Sequence, residues 1–455
     1  VSTTVSSAAR RIAEFSVAFE SFEPGADGFE RVGRALLDTY AVGIAGANEE
    51  ASQRALRYLD AGRTAQRGHG THASLWGRAG FYPVESAALW NGIAAHVLDY
   101  DDVTSPLRGH PSVAILPALV ALAEAFDMSG AQLARAYIVG FEVICKLAKS
   151  LGVEHYAKGW HSTASIGTLG AAVGCAHLLA LDVGQTISAL GLAIAQAAGT
   201  RANFGAHAKA FQAGHANAAG LRAALLAREG FTASEDALAS DIGYATLYGS
   251  GEPFELSALG TLPLELERSG IEVKKYPLCY ATHRTLDGVL AMRAEHGLTL
   301  DDVERVGIRT SQGALAPLVH HRPVTGLQGK FSMEYAVAAA LLDGAVTLES
   351  FTDEAVMRAP VQAFLASVSS TEVASGGVFP RWAEITIHRR HGDPLTRKVE
   401  QLRGSADLPL TIDELQAKAA DCAAWGASGI DVESLMRAAM SLRERSVRDF
   451  LHCGS

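Results

Sequence analysis

Between Ser162 and Leu181 the chain has no charged side chain, and beyond Asp182 it is uncharged again as far as Thr200. So long an apolar stretch has to be buried, either in lipid or inside a protein. Gly167, Gly170, Gly174 and His177 interrupt it and no basic residues flank it, which fits two closely packed helices within a folded protein rather than a lipid-facing span. The chain can supply the walls, because 48% of its 455 residues are hydrophobic and 19% are charged, the balance of a globular protein with a large buried fraction. Its length suggests two or three domains.

Helical periodicity runs almost unbroken to about Leu259, through Ala-rich segments at 32–45, 85–98, 115–125, 131–150, 167–181, 187–198 and 218–229. Ser129, Asp182 and Ser234 stand at helix boundaries as capping residues, and the many internal glycines and alanines point to a thick bundle of closely packed helices. The pattern changes near Gly260. Segments 270–276, 303–310 and 382–389 alternate or carry β-branched residues, and the turn His391-Gly392-Asp393-Pro394 precedes a further strand at 395–399. Helices intervene at 283–295 and 333–342, and 411–451 is helical again. The expected fold is mainly α: a large all-helical domain from residues 1–262 and 405–455, and a smaller α+β domain over 263–404 with a small antiparallel sheet.

A net charge of −10 and the lack of any dense Lys/Arg run exclude a nucleic-acid partner, whereas a small anion needs only a few cations focused in one cleft. The five cysteines are widely spaced with no CxxC pair, so neither a disulfide framework nor a zinc site is expected. The N-terminal stretch VSTTVSSAARRIAEF lacks an apolar leader core, and the expected compartment is the cytosol, with no membrane association.

Five clusters can carry chemistry. HVLDYDDVTSPLRGHPS, His96 to Ser112, packs Asp99, Asp101 and Asp102 between two histidines where a helix runs into a loop, so acid, base and positive charge can converge. Its plainer reading is a pair of capping carboxylates and a core histidine. Lys158 to Thr163 puts His161 at a helix N-terminus, a position that favours a neutral imidazole and attracts anions. Arg201 to His215 sets the lone Lys209 in Gly/Ala-rich surroundings, where it requires a protein or substrate carboxylate. In Val273 to His283 two lysines alternate across an extended segment, so that one can face inward and the other solvent; its plainer reading is two solvated lysines on an edge strand. Finally, Ser332 caps a helix that carries Tyr335 one turn in, the usual setting of a core tyrosine.

Taken together, HVLDYDDV…GHPS, GWHST, KAFQAGHANAAG, KKYPLCYATHR and KFSMEYAVAAALLDG resemble, in order, the motifs of the MmgE/PrpD family. Its members include 2-methylcitrate dehydratases, cis-aconitate decarboxylases and an iminodisuccinate epimerase. The resemblance spans about residues 33 to 404. It implies a helical domain built from both chain ends, a smaller α+β lid, a cleft between them, a homodimer, and no required metal or organic cofactor. Carried over position by position, it assigns catalytic roles to Asp99, His110, His161, Lys209, Lys274, His283 and Tyr335. Two positions depart from the pattern: Val103 replaces a usual threonine, and Cys279 replaces a histidine of the decarboxylases. Both count against decarboxylation of cis-aconitate.

The expected activity is that of a cofactor-independent lyase or isomerase, an epimerase or a dehydratase, acting on a small di- or tricarboxylate by proton abstraction beside a carboxylate. Lys209 and Lys274, helped by Arg108 or Arg201 and bordered by Cys279, would hold substrate carboxylates, while Asp99, His110 and His161 divide the base and acid roles. Two alternatives stand beside it. One is a metal-dependent hydrolase liganded by His96, Asp99, Asp101, Asp102 and His110. The other is a non-catalytic carboxylate-binding protein.

Overall fold

The computed structural model of the chain describes residues 7–61, 72–250, 254–256, 258–374 and 380–453. The uncharged run folds into helices Gly167–Leu178 and Val183–Ile194. Asp182 starts the second with a reciprocal cap: its side chain accepts from the Gln185 N–H, while the Gln185 side chain accepts from the Asp182 N–H. No helix among the described residues is long and apolar enough to cross a membrane. Helices Pro111–Ala125, Gly130–Ala157 and His207–Arg228 pack on Gly167–Leu178 instead.

His207–Arg228 also crosses Val84–Val97, and glycines set their separation. A Cβ on Gly92 would lie 2.8 Å from Gly214 Cα, and one on Gly214 would lie 2.3 Å from the Leu89 carbonyl oxygen. Only bare backbones come this close, and the approach carries the His96 end of one helix to the Lys209 end of the other.

A large hydrophobic core gathers side chains from Ala9 to Val273, Leu348, and Leu410 to Leu451; a second gathers Phe204 and side chains from Tyr276 to Ile387. Helices Ile412–Trp425 and Val432–Met440 pack back on Ala26–Gly46. In the second core lies a four-stranded sheet in the order Val368–Val373, Val303–Ser311, Ala383–Arg389, Leu395–Val399. Helices His283–His296 and Met333–Asp343 cover it.

Three sequence expectations need correction. The sheet is mixed, since Val303–Ser311 and Val368–Val373 pair in parallel, a pairing that needs the helical crossover between them. Segment 270–276 is not a strand of this sheet: Glu272 pairs with Val103 through two backbone bonds of 2.8 and 2.9 Å, tying the segment to the loop after Asp99 instead. The first 262 residues are not all helical, because strands His72–Leu75 and Arg78–Pro83 form a hairpin closed at Gly77 with φ 73°. Residues 1–6, where the N-terminal stretch begins, lie outside the described residues. All five cysteines are free.

Candidate active site

Two helix ends, a loop and one extended segment bring the charged groups together. Helix Val84–Val97 gives way at Leu98, and Asp99 turns the chain out of it in a left-handed conformation, φ 52°, which a short polar side chain tolerates better than most. His110 is the N-cap of Pro111–Ala125, whose first residue is a proline with no N–H to leave unsatisfied. His161 precedes the single turn Ser162–Ser165. Lys209 lies in the first turn of His207–Arg228, an unfavourable place for a cation beside the positive helix end.

Asp99 offsets that cost. The Lys209 ammonium donates to Asp99 Oδ1 and lies 3.0 Å from His96 Nε2. From the other side Lys274 donates to the Asp99 carbonyl oxygen at 2.6 Å, and its Nζ is 3.1 Å from Asp99 Oδ2. All four side chains are buried. Burial by itself would raise the Asp99 carboxyl, but Lys209 and Lys274 outweigh it and hold the group well below the usual carboxylate range. Asp101 follows the same logic: burial is overruled by His110 and His96, whose Nδ1 atoms lie 3.0 and 2.8 Å from Asp101 Oδ2.

Burial also depresses the imidazoles. His110 is drawn down to about 4, His96 falls below its ordinary value, and His161, which Lys209 depresses further, falls well below it. All three are neutral near pH 7, and their hydrogen bonds fix two tautomers. An ammonium can only donate, so His96 Nε2 accepts from Lys209 and its Nδ1–H donates to Asp101. The Gln212 amide nitrogen donates to the Thr200 carbonyl at 3.1 Å, which leaves Gln212 Oε1 to accept from His161 Nδ1–H at 2.6 Å. His161 Nε2 is then a buried lone pair with no partner among the described residues.

Asp99, His110, His161, Lys209 and Lys274 line one cavity of about 100 Å³, together with Arg108, Cys279 and Val103. Phe204 and Phe331 form an apolar wall, with Lys209 Nζ 5.5 and 5.3 Å from their ring centres. Three further residues picked from the sequence lie outside this lining. Arg201 stacks over Tyr156 at 4.1 Å and donates to the Ala316 carbonyl at 3.3 Å, behind the cavity wall. His283 is buried against Tyr276 and Tyr280. The Tyr335 hydroxyl donates to the Ser350 carbonyl inside the second core.

His96, Asp99, Asp101 and His110 bring one ligand atom each within 4.8 Å of one another, four of the five residues of the metal alternative. Both Asp99 oxygens, however, face ammonium groups, which a cation would have to displace. The fifth, Asp102, is raised well above the usual carboxylate range by burial and by Asp38, and accepts from the Ser112 N–H and hydroxyl. It holds the loop.

Two functional groups escaped the sequence reading. Gln212, which orients His161, lies one helical turn beyond Lys209, so the spacing Lys-Ala-Phe-Gln could have suggested it. Arg381, also in the lining, has no local sequence signal.

The chain belongs to the MmgE/PrpD family: the family's N-terminal domain matches residues 10–257 and its C-terminal domain residues 276–442. It is 29% identical over 402 residues to a cis-aconitate decarboxylase of Mus musculus, covering 85% of this chain and 80% of that one. A cis-aconitate decarboxylase of Homo sapiens is 28% identical over 432 residues, covering 91% and 87% of the two chains. A cis-aconitate decarboxylase-like protein of Aspergillus oryzae is 27% identical over 441 residues, covering 90% and 89%.

Proposed function

We propose that this protein is a lyase that acts on a small tricarboxylate, moving a proton at a carbon beside a carboxylate with its own side chains. The observation that carries this reading is His161, a neutral imidazole of fixed tautomer whose bare Nε2 belongs to a cavity with an excess of cations. The cavity is lined by Arg108, Lys209, Lys274 and Arg381 against the carboxylates Asp99 and Glu272, so that cations outnumber carboxylates in its wall. The names of the relatives, all concerned with cis-aconitate, support a tricarboxylate.

Carbon acids are weak, so the electron pair released at carbon has to be stabilised as it forms. His161 Nε2 takes the proton, the pair spreads into the adjacent carboxylate, and the ammonium groups of Lys209 and Lys274 offset the added charge. In a dehydration the pair then expels the neighbouring hydroxyl, which leaves as water with the proton that His161 has taken up, since His110, neutral near pH 7, has no imidazolium proton to give. In a decarboxylation the carbon–carbon bond breaks instead, carbon dioxide departs, and the pair left on carbon collects a proton. Val103 and Cys279 favour dehydration. They offer two methyl groups and a thiol pushed up to about 11 by burial and Asp99, in place of a hydroxyl and an imidazole.

Incubation with 2-methylcitrate, cis-aconitate and iminodisuccinate in deuterated water, read by NMR, tests the proposal. Loss of water or of carbon dioxide supports a lyase and says which kind. Deuterium entering one carbon with neither loss makes the protein an epimerase and overturns the lyase reading. Full activity after chelation, with no metal by elemental analysis, separates it from the hydrolase alternative.

A further inference from the structure

The cavity has a second cationic end that the proton chemistry does not use. Lys209 and Lys274 are both committed to Asp99. Arg108 is different. It lines the cavity half-buried, and its guanidinium has no hydrogen bond or ion pair among the described residues. The carboxylate at hand, Glu272, accepts from the Ser105 hydroxyl instead. Arg381 lines the same cavity, and burial followed by repulsion from Arg381 draws Arg108 below its ordinary value.

The backbone holds this arrangement at a cost. Arg108 has φ 52° in the turn between Thr104 and Gly109, which is closed by bonds of 3.1 Å from the Arg108 N–H to the Thr104 carbonyl and from the Thr104 N–H to the Gly109 carbonyl. A long side chain in the left-handed region is strained, and no hydrogen bond or ion pair among the described residues rewards it. The Arg108 guanidinium, partly desolvated and repelled by Arg381, is relieved by an anion beside it. The planar fork of arginine matches a carboxylate in two parallel bonds.

We infer that Arg108 and Arg381 form an outer carboxylate subsite, which takes a carboxylate remote from the reacting carbon and so selects tricarboxylates over dicarboxylates. This rests on the reading of the cavity as a polycarboxylate site. The inner lysines serve the carboxylate that shares the developing charge, and the arginines fix the direction in which the substrate enters.

Calorimetric titration with tricarballylate, which carries three carboxylates but no hydroxyl or double bond, and with succinate, which carries two, separates the ends of the cavity. The wild-type protein should bind tricarballylate at least about tenfold more tightly than succinate. R108M and R381M should each remove most of that preference by weakening tricarballylate much more than succinate, with an unchanged circular dichroism spectrum reporting a folded protein. R108K should keep part of it, and H161A all of it. A full preference retained in both arginine variants, or no preference in the wild type, overturns the subsite. If the NMR assay finds no turnover but the arginine-dependent preference persists, the subsite stands and the lyase reading falls. Turnover with an arginine-independent preference has the reverse meaning.

Discussion

Lys209 Nζ lies 3.0 Å from His96 Nε2, and because an ammonium only donates, the proton of His96 has to sit on Nδ1, facing Asp101. Asp101, His96, Lys209 and Asp99 therefore form a line in which every proton has one position. H96L breaks it at both ends, leaving one donor on Lys209 without its partner and Asp101 Oδ2 with His110 alone, at a cost of about 1–3 kcal/mol for the stranded donor. Expected are a melting temperature lowered by several degrees and a kcat lowered at least about tenfold. A folded H96L enzyme with wild-type kcat would show that the line has no part in turnover.

Gln212 controls His161, and a charge at that position should tune it. In Q212E a carboxylate replaces the amide oxygen that now accepts from Nδ1–H at 2.6 Å. A negative neighbour favours the imidazolium, so the His161 pKa rises. The base is then protonated at higher pH, and the acid limb of kcat/KM moves upward. H161A, with no base, should lose about 100-fold or more in kcat while keeping its circular dichroism. An unmoved acid limb in Q212E would mean that the limb belongs to another group.

Much of this site is legible in the sequence because chemistry-bearing side chains stand out in small-residue surroundings. Asp99, His110, His161, Lys209 and Lys274 come from stretches far apart in the chain, yet all five line one cavity. What the chain does not display locally is which partner each group finds. The Lys209 to His96 contact depends on the crossing at Gly92 and Gly214, and Arg381 reaches the cavity from the second core's side of the chain. The fold was obscured for similar reasons. Val368–Val373 reads VSSTEV, polar and half-exposed, so its place beside Val303–Ser311 rests on a crossover rather than on any local pattern. In 270–276 the alternation is real, but the partner is the Asp99 loop rather than a sheet.

The neutral histidines make stability fall in acid. His110 has its folded value lowered to about 4, and His96, His155, His161, His177 and His283 are lowered too, in each case chiefly by burial. Below an unfolded value of about 6.5 the unfolded chain binds more protons than the folded one, so their contribution is present above that pH and is lost as the pH drops toward about 4. Asp38, Asp102, Glu142 and Asp421, all raised by burial, work in the opposite direction over the same range but are fewer. Asp99 and Asp101, held low, matter only below about pH 4. Thermal unfolding at pH 7.5 and at pH 4.5 should differ by several degrees, the acid sample melting first. Equal midpoints would mean that these imidazoles are charged in the folded protein.

Helix Ile412–Trp425 reaches the same turn through one lysine. Lys418, on Ile412–Trp425, has its Nζ 2.6 Å from Asp38 Oδ1 and donates to the Tyr100 carbonyl at 2.8 Å, directly after Asp99. Asp38 is buried, and burial raises its pKa against the pull of Lys418. Removing the ammonium in K418M strands a carboxylate and a carbonyl together. The expected loss is about 3–5 kcal/mol, as for other buried pairs broken on one side. D38N/K418M removes the stranded charge as well and should recover a large part of that stability. The Tyr100 carbonyl stays unsupported in both variants, so neither should recover kcat, because the backbone that presents Asp99 to Lys209 and Lys274 has lost its anchor. Melting temperatures together with kcat for the single and double variants separate the two effects. Recovery of both quantities in the double variant would reduce Lys418 to a counter-charge for Asp38 and nothing more.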